Sequence, residues 1–111
     1  MKKTLEIRNY RLYPNKRNEF HRLVIEQSYP LMRKWDVDVE AFGPSQHDDD
    51  SYCLIRAYES EEHREQSQDA FYSSSDWKQG PREAILPLLE KGVAITIDMD
   101  VKAIDALRDS I

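Results

Sequence analysis

Val37-Asp38-Val39-Glu40-Ala41-Phe42-Gly43 and Tyr52-Cys53-Leu54-Ile55-Arg56-Ala57-Tyr58 stand a polar loop apart, and their reading decides the fold. In the first, Val37, Val39 and Ala41 alternate with Asp38, Glu40 and Phe42, the two-residue period of a strand, and Gly43-Pro44 ends it. In the second, Cys53, Ile55 and Ala57 share one face while Tyr52, Leu54, Arg56 and Tyr58 share the other. Two strands in direct succession, each with a helical pattern on its far side, form the middle of a split β-α-β repeat.

Outward toward the N-terminus, Phe20, Leu23, Val24, Gln27 and Leu31 recur at three- and four-residue spacing, one stripe of a helix reaching about Lys34. Pro30 must kink it or end its regular part, because a proline removes a backbone bond and crowds the preceding turn. Before it, Thr4 to Tyr13 shows no helical repeat and reads as a first strand closed by Pro14-Asn15. Toward the C-terminus, the Ser60 hydroxyl can cap a helix whose first turn carries Glu61 and Glu62 and which runs to about Tyr72.

Ser73 to Ser75 breaks that helix, Asp76-Trp77 opens a turn, and Pro81 to Glu90 reads as a short helix with Ile85, Leu88 and Leu89 on its apolar side. After Gly92, Val93 to Met99 is a fourth strand with every odd position apolar. The resulting class is α+β, a ferredoxin-like β-α-β-β-α-(short α)-β domain over residues 1–100 with a four-stranded antiparallel sheet. Residues 101–111 form a C-terminal extension in which Ile104, Leu107 and Ile111 predict a short helix packed on the domain or a partner.

Composition agrees with one modest core. A chain of 111 residues buries roughly two-thirds of its unfolded surface, and with 33% charged residues and a mean hydropathy of -0.77 this one is polar. The net charge of -5 offers no positive field for a phosphate backbone, so nucleic acid is not an expected partner. Cys53 has no internal disulfide partner, no apolar run spans a membrane, and the opening Met1-Lys2-Lys3-Thr4 leads into an alternating polar stretch. A cytoplasmic protein is expected.

The face carrying Leu54, Arg56 and Tyr58, with Thr96 and Asp98, is too apolar for water and too polar for a core. A second identical sheet is expected to cover it, making a homodimer.

Leu5 to Phe20, Cys53 to Tyr58 and above all Ala70-Phe71-Tyr72-Ser73-Ser74-Ser75-Asp76-Trp77 carry a resemblance to the NIPSNAP family over residues 5 to about 99. That resemblance implies the dimeric α+β barrel, an arrangement related to small monooxygenases and haem-handling proteins, and it implies no settled activity. Where the family usually has Glu before the Trp, this chain has the shorter Asp76.

Among candidate site residues, a guanidinium on a central strand such as Arg56 must find a carboxylate or a ligand when buried. Glu6, Glu40 and Asp98 are the carboxylates available for an internal ion pair. Strands one and three are the central pair, so Arg8, Tyr10, Arg56 and Tyr58 are expected together near the barrel axis, a cluster suited to an anionic or carbonyl-bearing guest. Tyr72, Trp77 and Arg82 surround the turn after the second helix, as a pocket mouth or as a hydrophobic plug.

His47-Asp48-Asp49-Asp50 lacks the glycine and distal glutamate of a cation loop and reads as a solvated acidic loop. Cys53, in mid-strand, reads as a small hydrophobe, and His21 and His63 as helical surface or capping residues. This reading assigns no metal, no cofactor and no catalytic residue. Three functions remain: a module enclosing a small molecule, a cofactor-independent monooxygenase-like enzyme, and an interaction protein with no ligand.

Overall fold

The first strand of the chain is one of the two central strands of its sheet. In the computed structural model, which describes residues 1–109, β1 (Lys2–Leu12) runs antiparallel to β3 (Ser51–Tyr58), with Glu6 opposite Arg56 and Tyr10 opposite Tyr52. On its other side β1 pairs with β4 (Leu89–Asp100), and β2 (Asp38–Pro44) adds to β3, giving the order β2-β3-β1-β4. The split β-α-β arrangement of an α+β, ferredoxin-like fold is therefore present.

The segment joining β1 to β2 is helical but not uniform. α1 (Arg17–Leu23) widens into a π-helical turn over Val24–Ser28 before α2 (Tyr29–Lys34), and the Tyr29 N–H reaches back to the Val24 carbonyl. The irregularity predicted from Pro30 thus lies just before it, where the proline ring crowds the preceding turn. Asp36, at φ 56°, ends α2, and the Val37 N–H returns to the Met32 carbonyl at 2.9 Å.

α3 (Glu61–Tyr72) starts at Ser60, whose hydroxyl accepts the His63 N–H at 3.0 Å. Ser74 repeats the device for α4 (Ser75–Lys78), accepting the Trp77 N–H at 3.2 Å. α5 (Arg82–Ile85) and a 3₁₀ turn at Leu86–Leu88 lead into β4, and α6 (Val101–Asp109) follows it. Ile111, the last member of the apolar repeat read from the sequence, lies outside the described residues. No described helix is long and apolar enough to cross a membrane.

Two cores result, one on each face of the sheet. On the first, Phe20, Leu23, Val24, Met32, Phe71 and Trp77 from the helical segments pack on Leu12, Tyr52, Leu54 and Tyr58. The face of Leu54, Arg56 and Tyr58 is thus covered by the chain's own helices, correcting the expectation that it waits for a second sheet. The reason is volume. Large helical aromatics need the large residues of β3 between them, whereas Cys53, Ile55 and Ala57 leave a shallower surface on the other side.

On that other face, α6 seats Ile104 against Leu5 and Ala57, flanked by Ile7, Ile55, Met99 and Leu107. It covers one end only. Along β4, Val93, Ile95 and Ile97 remain 58%, 56% and 41% exposed.

Candidate functional site

β1 and β3 each send alternate residues under the helices, and Glu6 and Arg56 meet there with almost no solvent exposure. Arg56 Nε lies 2.8 Å and Nη2 2.7 Å from Glu6 Oε1. The other carboxylate oxygen of Glu6 accepts from Arg64 Nε at 2.6 Å and from the Gln68 amide, and Arg8 Nη2 stands 3.5 Å away. Burial alone would raise the Glu6 carboxyl, but the Arg56 charge, the Gln68 bond, Arg8 and Arg64 together hold it below its ordinary value. The ion pair anticipated for Arg56 thus forms with Glu6.

Arg56 also donates from Nη1 to the Tyr72 hydroxyl at 2.9 Å. Tyr72 packs edge-on against Trp77, with ring centroids 5.2 Å apart, and against Phe71 at 5.0 Å. Past this cluster lies a cavity of about 270 Å³ between the sheet and the helices. Arg8, Tyr10, Tyr72, Trp77 and Arg82 all line it.

Arg56 and Tyr58 do not. Arg56 sits behind Tyr72, and Tyr58 accepts from Gln68 at 3.3 Å. The placement of Arg8, Tyr10, Arg56 and Tyr58 near a barrel axis is corrected with the face assignment, since all four belong to the helix-covered side. Tyr72 and Trp77 act both as packing and as cavity wall.

Ser28, Phe20, Met32, Tyr52 and Leu86 complete much of the lining and were not singled out from the sequence. Ser28 is buried by the π-helical turn, a local geometry with no sequence signature beyond the nearby proline. Glu6 as a four-partner hub was only half legible, through its shared strand parity with an arginine. On β4, Gly92 lies opposite Tyr10, and a side chain there would meet the Tyr10 ring at 3.3 Å.

The polar character of the lining is one-sided. Arginine and hydroxyl groups line it, and among the described residues no Asp, Glu, His or Cys does. Arg8 Nε is buried with no hydrogen-bond partner. Burial pushes the Tyr10 and Tyr52 phenols above their ordinary value, so both stay protonated at neutral pH.

The remaining sequence candidates have structural partners. His21 Nδ1 lies 2.6 Å from the Tyr52 hydroxyl, and His63 Nδ1 accepts the Glu59 N–H at 3.0 Å. Asp48 accepts the N–H groups of Asp50 and Ser51 at 2.9 and 2.8 Å and the Ser51 hydroxyl at 2.8 Å, which folds the acidic loop on itself. Asp76 accepts from Trp35 Nε1 at 3.0 Å and Lys34 Nζ at 3.2 Å, tying α4 to the end of α2. Cys53 is half-buried on the opposite face, its thiol pushed up by burial.

No family model and no curated protein matches the sequence. Solved structures do. A NIPSNAP-domain protein from Burkholderia xenovorans superposes with a TM-score of 0.77 at 17% identity, covering 88% of this chain and 95% of that one. A NIPSNAP-family protein of unknown function from Agrobacterium tumefaciens gives 0.80 at 16% identity, covering 87% of each chain. A proposed antibiotic biosynthesis monooxygenase from Caulobacter crescentus gives 0.67 at 13% identity, covering 88% of this chain and 90% of its own. The chain thus has the fold shared by NIPSNAP-domain proteins, the likeness first carried by Leu5 to Phe20, Cys53 to Tyr58 and Ala70 to Trp77.

Proposed function

We propose that this protein binds a small, partly apolar molecule bearing an anionic or carbonyl oxygen in the cavity between its sheet and its helices. One observation carries the reading: about 270 Å³ of space walled by Tyr10, Phe20, Tyr72 and Trp77, with the buried Nε of Arg8 left without a partner. A buried donor with nothing to bond is costly, and a guest oxygen that reached it through a small shift of the Arg8 side chain would remove that cost. The aromatic walls suit the apolar body of the guest.

Self-association belongs to the same proposal. Val93, Ile95 and Ile97 form an exposed apolar stripe that continues into the half-buried Ile7 and Ile55, and a second copy laid on this face would bury it.

The test is a melting screen against a panel of aromatic and aliphatic organic acids and their neutral analogues, run on wild type and Arg8→Met. Wild type should show saturable upward shifts with part of the panel, and Arg8→Met should fold but lose most of them. A wild-type protein indifferent to every compound defeats the reading.

A further inference from the structure

We infer that the guest is an organic oxyanion, a carboxylate or an enolate, that Tyr72 is the hydroxyl donating to it, and that the Glu6–Arg56 pair is the device aiming Tyr72. The inference rests on the cavity being a binding site and says which chemistry it takes.

Tyr72 can donate one hydrogen bond and accept others, whereas a guanidinium can only donate. Its contact with Arg56 Nη1 at 2.9 Å therefore uses the Tyr72 oxygen as acceptor and leaves the phenolic hydrogen uncommitted. No other hydrogen bond engages the Tyr72 hydroxyl among the described residues, and Tyr72 lines the cavity. A hydroxyl that accepts from a cation becomes a stronger donor, because the two bonds polarise each other.

Arg56 cannot turn away from this task. Glu6 holds it through Nε and Nη2, and Glu6 is itself held by Arg64 and Gln68. The chain from α3 through β1 and β3 back to α3 closes on Tyr72, so the phenol is fixed at both its ring and its oxygen.

The rest of the wall selects in the same direction. Arg8 and Arg82 bring two positive charges, Ser28 and Tyr10 bring hydroxyls, and no anionic group among the described residues lines the space to receive an amine or ammonium. Glu6, behind the wall, is already shared among arginines. A neutral carbonyl would satisfy Tyr72 as well, but a charged acceptor makes the stronger bond to its hydroxyl and gains from a wall that carries arginines and no carboxylate.

The probe pair is 2-naphthoate and its methyl ester, titrated calorimetrically into wild type, Tyr72→Phe and Arg56→Met. Wild type should bind the acid at least about tenfold more tightly than the ester, the worth of one hydrogen bond to a charged group. Tyr72→Phe should erase most of that preference while remaining folded, its melting temperature lowered by the loss of the acceptor for Arg56 Nη1. If Arg56→Met folds, it should lose the preference too, and the double variant should lose no more than either single one, a non-additivity that a merely structural arginine would not produce. An ester that binds as well as the acid overturns the oxyanion assignment while leaving the binding site standing. Undiminished preference in Tyr72→Phe overturns the role of Tyr72. If a wider panel of acids and neutral analogues also leaves wild type silent, the binding site itself falls, and this inference with it.

Discussion

Glu6 has no solvent exposure and yet is held ionised by three arginines and an amide, so its charge is part of how β1, β3 and α3 fit together. Replacing it by Gln leaves Arg56 buried without a counter-charge, a change that costs about 3–5 kcal/mol when a buried pair is broken. Urea denaturation of Glu6→Gln at pH 7 should show that loss, and a midpoint within error of wild type would contradict it. The pH dependence has a definite sign. Because the folded carboxyl lies below its ordinary value, its stabilisation is present above about 4.5 and disappears as pH falls through the lower folded value. The gap between wild type and Glu6→Gln should therefore close on acidification from pH 4.5 downward. Glu40 contributes with the opposite sign, since burial and the neighbouring Asp38 raise its carboxyl despite the Arg108 bonds, but it is common to both proteins and cancels in their difference. This residue-level chemistry was partly readable in advance: a central-strand arginine needs a carboxylate, and Glu6 was one of three candidates. Which one pairs depends on register, and register follows from the hairpin lengths and packing of the whole sheet.

At the scale of elements, the strands and α3 were legible because their signals are local: two-residue alternation, a serine cap, acidic first-turn residues. The assignment of faces was not. Alternation says that Tyr52, Leu54, Arg56 and Tyr58 share a side, but whether helices or another sheet cover that side is decided by matching volumes across the interface. The cavity was illegible for a related reason, since it is what remains after the π-helical turn, α4 and α5 have packed, and no motif encodes a remainder. α6 gives this scale its test. Ile104 is fully buried on Leu5 and Ala57, and Arg108 grips the buried Glu40 through bonds of 3.0 and 2.9 Å. Ile104→Ala should cost about 2–5 kcal/mol in chemical denaturation. Arg108→Ala should cost about 1–3 kcal/mol by stranding Glu40, and Glu40→Gln in the same background should recover part of it. Full stability in both single variants would show that the helix merely rests on the sheet.

For the molecule as a whole, the stripe of Val93, Ile95 and Ile97 is the feature that its own chain leaves unfinished. On the proposal that a second copy covers it, Ile95→Lys should shift the light-scattering mass at micromolar concentration from a multiple of 13.1 kDa to that single value while the fold persists by circular dichroism. A wild-type mass equal to one chain would refute the association outright. The strand order β2-β3-β1-β4 has a further consequence, which concerns time. β1 is synthesised first, yet one of its edges is completed by β4, so that Lys2 ends opposite Asp100. Nearly the whole described chain must be crossed to form that pairing, and pairings between such distant segments are slow to form. β1, β2 and β3 can assemble early, but until β4 has been made the open edge of β1 is available to any other strand it meets. Until residue 89 and those after it have been made, the sheet therefore carries an open edge that the finished fold does not.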